Sequence, residues 1–537
     1  MSSTIFKPIE FPFRMKTGRS GLLQTIRMAA ASAVVLGAAL VARAEVTMPG
    51  VFSDNMVLQQ GASVPVWGTA EDGEIVIVNF QGQKVTTKAK DGKWSVKLKP
   101  LKSGGPDIMV IDGKNRIQFQ NVLVGDVWIC SGQSNMEWPL AKSHEVAGDI
   151  AKSANNEIRL FTVVKTKSDE PLSSLKQAST GKFAWVVCGP NTTPDFSAVA
   201  YYFGRELQKA RQTPIGLIHT SWGGSPAEAW MSNAALTANA GYRTDILDKY
   251  ETDKAKYAEN LKKYQDDAAK AKKEGTKMAA QPPRAPWRPS ELYNGMIAPL
   301  LPYDIKGAIW YQGESNAGRA FQYRSLFGDM IKNWRKDWGQ GDFPFLLVQL
   351  AAWDKNKKRS LEEIAKEPVD SDWAELREAQ THVAETLPKV GMAVITDVGD
   401  KDDIHPTKKE PVGARLALVA RSVAYGEKVV SSGPIYKSMK AKGNQVTLTF
   451  NSVGGGLEAK GGPLTGFAVC GEDKKFVWAT AAIEGDKVVL SATGVDKPVA
   501  VRFGWSDYPV VNLFNKEGLP AHPFRTDEFP MITAPKK

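Results

Sequence analysis

Two periodicities divide the chain. From Val46 to about Asn121, apolar and polar positions alternate in short runs: SVPVWGTA, EIVIVNF, QKVTTKA, KWSVKLKP and RIQFQNV. Gly, Asp-Gly and Lys-Ser-Gly-Gly turns separate them, and this pattern predicts a small β-sandwich over 45–121. From Val122 onward, apolar strands alternate with amphipathic helices, which predicts a parallel sheet with helices on both faces over 122–427. The strands are VLVGDVWIC, PIGLIHT, IKGAIWYQ, FPFLLVQLA and GMAVITDV; the helices include 197–210, 323–338, 372–386 and 412–425. One segment interrupts the pattern. Residues 244–278 are almost all charged or Ala and predict a solvated helix or helical hairpin inserted in this domain. Short strands return over 428–537 as a second β-sandwich, with a Pro- and aromatic-rich tail, NLFNKEGLPAHPFRTD, expected to lie on another surface without forming strand.

Composition changes this picture at the N-terminus. Residues 1–44 combine a basic stretch, the apolar run MAAASAVVLGAALV and then Ala-Arg-Ala, the layout of a secretory signal peptide cleaved after Ala44. The apolar run is shorter than the roughly 20 residues of a spanning helix, which disfavours an uncleaved anchor. A secreted or periplasmic protein is therefore expected, with no membrane association after cleavage. The leader carries five of the eleven net positive charges, so the mature chain is only modestly basic. No basic stripe interleaved with aromatics occurs, and nucleic acid is not an expected partner. Cys130, Cys188 and Cys470 are too scattered for a disulfide framework or a metal site.

In an open parallel sheet, ligands bind beyond the carboxyl ends of the strands, so the segments following each strand are where chemistry is sought. These are SGQSNME, SWGGSPAEAW, QGESN and DVGDKDDIHP. Ser134 sits between a strand and a predicted helix, where it either caps the helix or acts as a nucleophile facing backbone N–H groups. Of five histidines, only His405 follows a strand in an acid-rich loop. Asp402, three residues earlier, is placed to turn back on the imidazole, with Asp397, Asp400 and Asp403 as competitors. Gly223 and Gly224 offer N–H groups without a Cβ to block approach, and Gln312 and Asn316 offer neutral amides, for an oxyanion hole. Glu314 beside those amides is assigned to hydrogen-bonding its loop or substrate hydroxyls. Trp222, with Trp138, Trp230 and Trp310, is a candidate sugar platform or a core residue. Neither zinc-ligand spacing nor a phosphate loop occurs, and acyl transfer by serine needs no cofactor or metal.

The segments CSGQSNMEWPL, SWGGSPAEAW, LYNGMIAPL, WYQGESNA, LREAQ, DIHPTKKEPVGARLA and GLPAHPFRTD resemble the sialate O-acetylesterase family, a branch of the SGNH hydrolases, from about Met48 to Asp527. The resemblance implies a flavodoxin-like α/β hydrolase core flanked by small β-sandwich domains. It also implies hydrolysis of O-acetyl esters of sugars through an acetyl-enzyme, with Ser134 as nucleophile, His405 as base and Asp402 as acid. The family's Gly and Asn blocks correspond loosely to WGG and QGESN. Acetylated xylan or another polysaccharide is the alternative substrate. A non-catalytic glycan-binding module is the alternative class, and oligomeric state is not legible.

Overall fold

The computed structural model describes residues 45–175, 184–277, 280–356 and 358–535. The expected signal peptide, 1–44, lies outside them. Among the described residues no helix is long and apolar enough to cross a membrane.

The central sheet runs in the order Val390–Ala393, Phe345–Val348, Gly307–Tyr311, Arg116–Gly132, Ile215–Ser221, Asn155–Thr162 and Val186–Cys188. All neighbours are parallel except the last pair. Strands with both faces covered must be apolar throughout, and every residue of Ile215–Ser221, Gly307–Tyr311 and Phe345–Val348 is buried. Helices Ala198–Arg211, Ala320–Trp338, Asp372–Thr386 and Glu410–Val423 flank the sheet, each within a few residues of its sequence-predicted bounds. Asn155–Thr162 was not expected as a strand. Its first three residues are polar, and the buried Arg159 interrupts its apolar half.

The Arg116–Gly132 strand decides where chemistry can sit. Its first half pairs antiparallel with Gly104–Asp112, its second half enters the core sheet, and the strand runs unbroken through residues 121 and 122. Within the core it lies between Ile215–Ser221 and Gly307–Tyr311, so chain order reverses on either side of it. Such a switch point opens a crevice beyond the carboxyl ends of the strands, and Ser134 is two residues past this one. Gly132 permits the crossing. Its φ is +142°, and a Cβ there would stand 2.1 Å from the Tyr311 carbonyl oxygen.

The charged insertion is one helix, Lys249–Glu274, with no buried residue and Gly275 closing it in the left-handed region. Beyond the core, two four-stranded antiparallel sheets enclose a separate apolar cluster around Leu448, Phe467, Val488, Val501 and Phe503. The tail differs from expectation. Leu513–Asn515 pairs with Leu457–Ala459, and Phe524–Arg525 pairs with Ala500–Phe503. Two- and three-residue strands carry no period, so only the neighbouring edges reveal them.

Candidate active site

Ser134 opens a single helical turn, Ser134–Glu137. The cap position is held by Gln133, whose carbonyl accepts from Met136 and Glu137 N–H at 3.0 and 2.9 Å. The serine is therefore not spent as the cap. Its Oγ lies 2.9 Å from His405 Nε2, within the reach of a nucleophile–base pair. The Trp138 ring stacks on the imidazole, centroids 5.4 Å apart and 21° from parallel, and limits its rotation. Burial holds the His405 pKa below 6.5, Asp403 opposes that shift, and Lys409 reinforces it.

The four competing aspartates separate clearly. Asp397 is held by Arg415 in a two-pronged pair at 2.6 and 2.7 Å. Asp400 accepts the N–H groups of Asp402 and Asp403 at 2.9 and 3.1 Å, folding the loop. The Asp402 carboxylate faces Lys401 Nζ at 2.5 Å and makes no contact with the imidazole. Asp403 Oδ1 is the oxygen near His405, 3.4 Å from Nδ1 and 2.9 Å from the backbone N–H. The carboxylate facing the imidazole is thus Asp403, two residues before it, while the Asp402 expected from the three-residue offset is turned to Lys401.

The amides expected to bind an oxyanion are occupied. Gln312, fully buried, donates to Ser225 O at 3.2 Å and Asn316 Oδ1 at 2.7 Å, and accepts from Tyr323 OH at 2.9 Å. Asn316 donates to Glu228 at 3.0 Å and accepts Ala227 N–H at 3.0 Å. Both amides therefore tie the QGESN loop to the WGGSPAE loop. The Gly223 N–H donates to Glu137 Oε2 at 2.6 Å, and Glu137 pairs in turn with Lys165. Gly224, at φ +76°, has open space where a Cβ would be. The N–H of Ser134 belongs to the first turn of its helix, where donors lack intrahelical acceptors.

Glu314 is held by the residue next to the serine. Its Oε1 accepts from Asn135 Nδ2 at 2.6 Å, and its Oε2 is buried without a partner. Asn135 also donates to Ile404 O at 3.0 Å, and its Oδ1 accepts from Lys409 Nζ at 2.5 Å. Lys409 was missed in the sequence, where a lysine reads as a surface residue. Here it is 1 % exposed, with the Tyr311 and Trp138 rings 5.4 and 5.7 Å from its ammonium. Burial lowers its pKa from 10.5 to about 7 and raises that of Glu314. Asn135 therefore joins three sheet-end loops directly beside the serine.

Of the four tryptophans, Trp230 and Trp310 are core. Trp222 is half-buried, edge-on to Trp287, with Lys165 and Lys167 5.4 and 5.7 Å from its ring centre. His219 is buried against Ser221 Oγ at 2.5 Å, and burial takes its pKa to about 4.

A serine, an imidazole and an acidic loop gathered at a switch point fit acyl transfer, and comparison with known proteins agrees. The family model for carbohydrate esterases described as sialic acid-specific acetylesterase matches residues 124–420. The chain belongs to this family. It is 32 % identical over 500 residues to the sialate O-acetylesterase of Mus musculus, covering 85 % of this chain and 89 % of that one. Identity to the Homo sapiens sialate O-acetylesterase is 30 % over 517 residues, covering 88 % and 91 %. A carbohydrate acetylesterase from Xanthomonas citri superposes with a TM-score of 0.76 at 38 % identity, over 90 % of this chain and all of that one. The core of this esterase is accordingly of the SGNH type.

Proposed function

We propose that this esterase removes O-acetyl groups from sugars, sialic acids foremost, through an acetyl-enzyme on Ser134. The observation that carries the reading is the 2.9 Å contact between Ser134 Oγ and His405 Nε2 at the mouth of the sheet crevice. His405 takes the serine proton as Oγ attacks the acetyl carbonyl, then returns it to the departing sugar hydroxyl. Water clears the acetyl group by the same route reversed. Asp403 is the carboxylate positioned to steady the imidazolium. The N–H groups of Ser134 and Gly224 are the oxyanion donors, and Glu137 fixes the Gly223 peptide beside them. Trp222 offers an apolar ring face for the sugar, beside Lys165 and Lys167, which are paired with Glu137 and Glu291. The leader supports export from the cytoplasm, and the chain reads as three parts, 45–121, the hydrolase 122–427 and 428–537, the first two joined by the continuous Arg116–Gly132 strand.

The choice of acid is testable. Asp403→Asn is expected to lower kcat about 10²–10⁴-fold while Asp402→Asn stays near wild type. The reverse order in steady-state kinetics assigns the role to Asp402.

A neutral acetylated polysaccharide is the second reading, left open because the relative at 38 % identity is a carbohydrate acetylesterase of no more specific substrate, against 32 % for the Mus musculus sialate esterase. Acetate release by mature protein from 9-O-acetyl-N-acetylneuraminic acid and from acetylated xylan, with Ser134→Ala as control, separates the two. Serine-dependent release mainly from xylan makes the second reading correct. No serine-dependent release from either substrate by folded protein defeats both and returns the binding-module alternative.

A further inference from the structure

A second cleft, of about 640 Å³, lies between the N-terminal strands and the Ala298–Pro302 segment of the core. That volume falls within the roughly 300–1,000 Å³ of ligand-binding sites. It is separate from the active site. Ala298–Pro302 leads into the amino end of the Gly307–Tyr311 strand, whereas Ser134 and His405 stand beyond the carboxyl ends.

Its lining has an unusual chemistry. Trp67, half-buried, contributes aromatic surface, Trp94 is buried, and Thr47, Thr69, Ser95 and Ser173 contribute hydroxyls. Lys88, Lys90 and Lys93 are exposed along it, no Asp or Glu lines it, and none of the three lysines makes an ion pair among the described residues. Many exposed lysines among the described residues are likewise unpaired, Lys262, Lys263 and Lys270 among them; what sets Lys88, Lys90 and Lys93 apart is that they stand together along one cleft. The floor is preorganised. Trp67 is edge-on to Phe52 at 4.9 Å, and Trp94 Nε1 donates to Thr69 O at 3.3 Å. Gly68 leaves no room for a Cβ, which would stand 2.0 Å from Thr47 O.

The Trp67 ring with hydroxyls beside it suits a sugar, and three ammonium groups with no carboxylate in the cleft lining suit one that bears negative charge. We propose that this cleft is a non-catalytic binding site for an acidic polysaccharide, tethering the esterase to a polyanionic glycan. Polymer binding and hydrolysis then depend on different residues.

The test uses mature enzyme on immobilised polygalacturonate, with dextran as the neutral control, and acetate release from a small acetylated sugar measured in parallel. Wild type is expected to bind polygalacturonate and not dextran, and binding should weaken as salt screens the exposed ammonium groups. Lys88→Glu/Lys90→Glu/Lys93→Glu should weaken binding about tenfold or more while acetate release stays at wild type. Lys262→Glu/Lys263→Glu/Lys270→Glu imposes the same change of net charge on the exposed helix and should leave binding intact. Equal loss in both triple variants makes the attraction a property of overall charge and overturns the site. So does unchanged binding in the cleft variant, absence of binding by wild type, or equal binding to dextran.

Discussion

Ser134→Ala and His405→Ala are each expected to reduce kcat by about 10⁴–10⁶-fold, and the double variant by little more than either alone. Nucleophile and base act on one proton, so removing either removes the step. A folded Ser134→Ala protein that retains a tenth of wild-type acetate release would falsify the covalent mechanism. The pH profile gives a second check on the same pair. The base must be neutral to accept the serine proton, and burial together with Lys409 holds His405 below 6.5. Activity should therefore rise with pH along one limb whose midpoint in kcat/KM lies below 6.5, and reach its plateau above that. A midpoint above 6.5 means that Asp403 outweighs burial and Lys409.

Lys409→Met is expected to lower kcat by about 10²-fold with KM little changed, because Lys409 touches Asn135 and not the substrate. Lys409 lies among Glu314, Asp403 and His405, with the Tyr311 and Trp138 rings beside it. Removing its charge relieves the depression of His405 and leaves Asp403 and Glu314 unopposed. The acid limb should consequently move to higher pH. A purely structural role would cost stability and leave that limb where it is. Adding Glu314→Gln, which removes the opposite charge, should recover part of the lost rate if the two are coupled through Asn135. Stability carries its own signature. Between about 7 and 10.5 the unfolded chain holds the Lys409 proton and the folded chain does not. Wild-type stability should thus gain from this group as pH rises through that window, and Lys409→Met should lose that gain.

The residues that proved hard to place share one physical feature, dependence on partners distant in the chain. Gln312 and Asn316 read as free amides because two of the groups that occupy them, Ser225 and Glu228, are more than eighty positions away. Four aspartates fall within seven residues, 397–403, and their spacing does not say which carboxylate meets the imidazole. The turn around Asp400 says so. Lys408 and Lys409 are adjacent, yet one is exposed and the other enclosed beside the serine.

The alternation of apolar strands and amphipathic helices was sufficient to determine five strands of the parallel core, though not Asn155–Thr162, and to place Ser134 and His405 at one end of it. Hydrophobic period and strand-to-loop order are local properties written along the chain. Which side chains those loops turn toward the serine, and which they spend on one another, was decided only by the tertiary structure. A buried hydrogen-bonding group must find a partner wherever the fold supplies one, and that partner has no fixed distance in sequence.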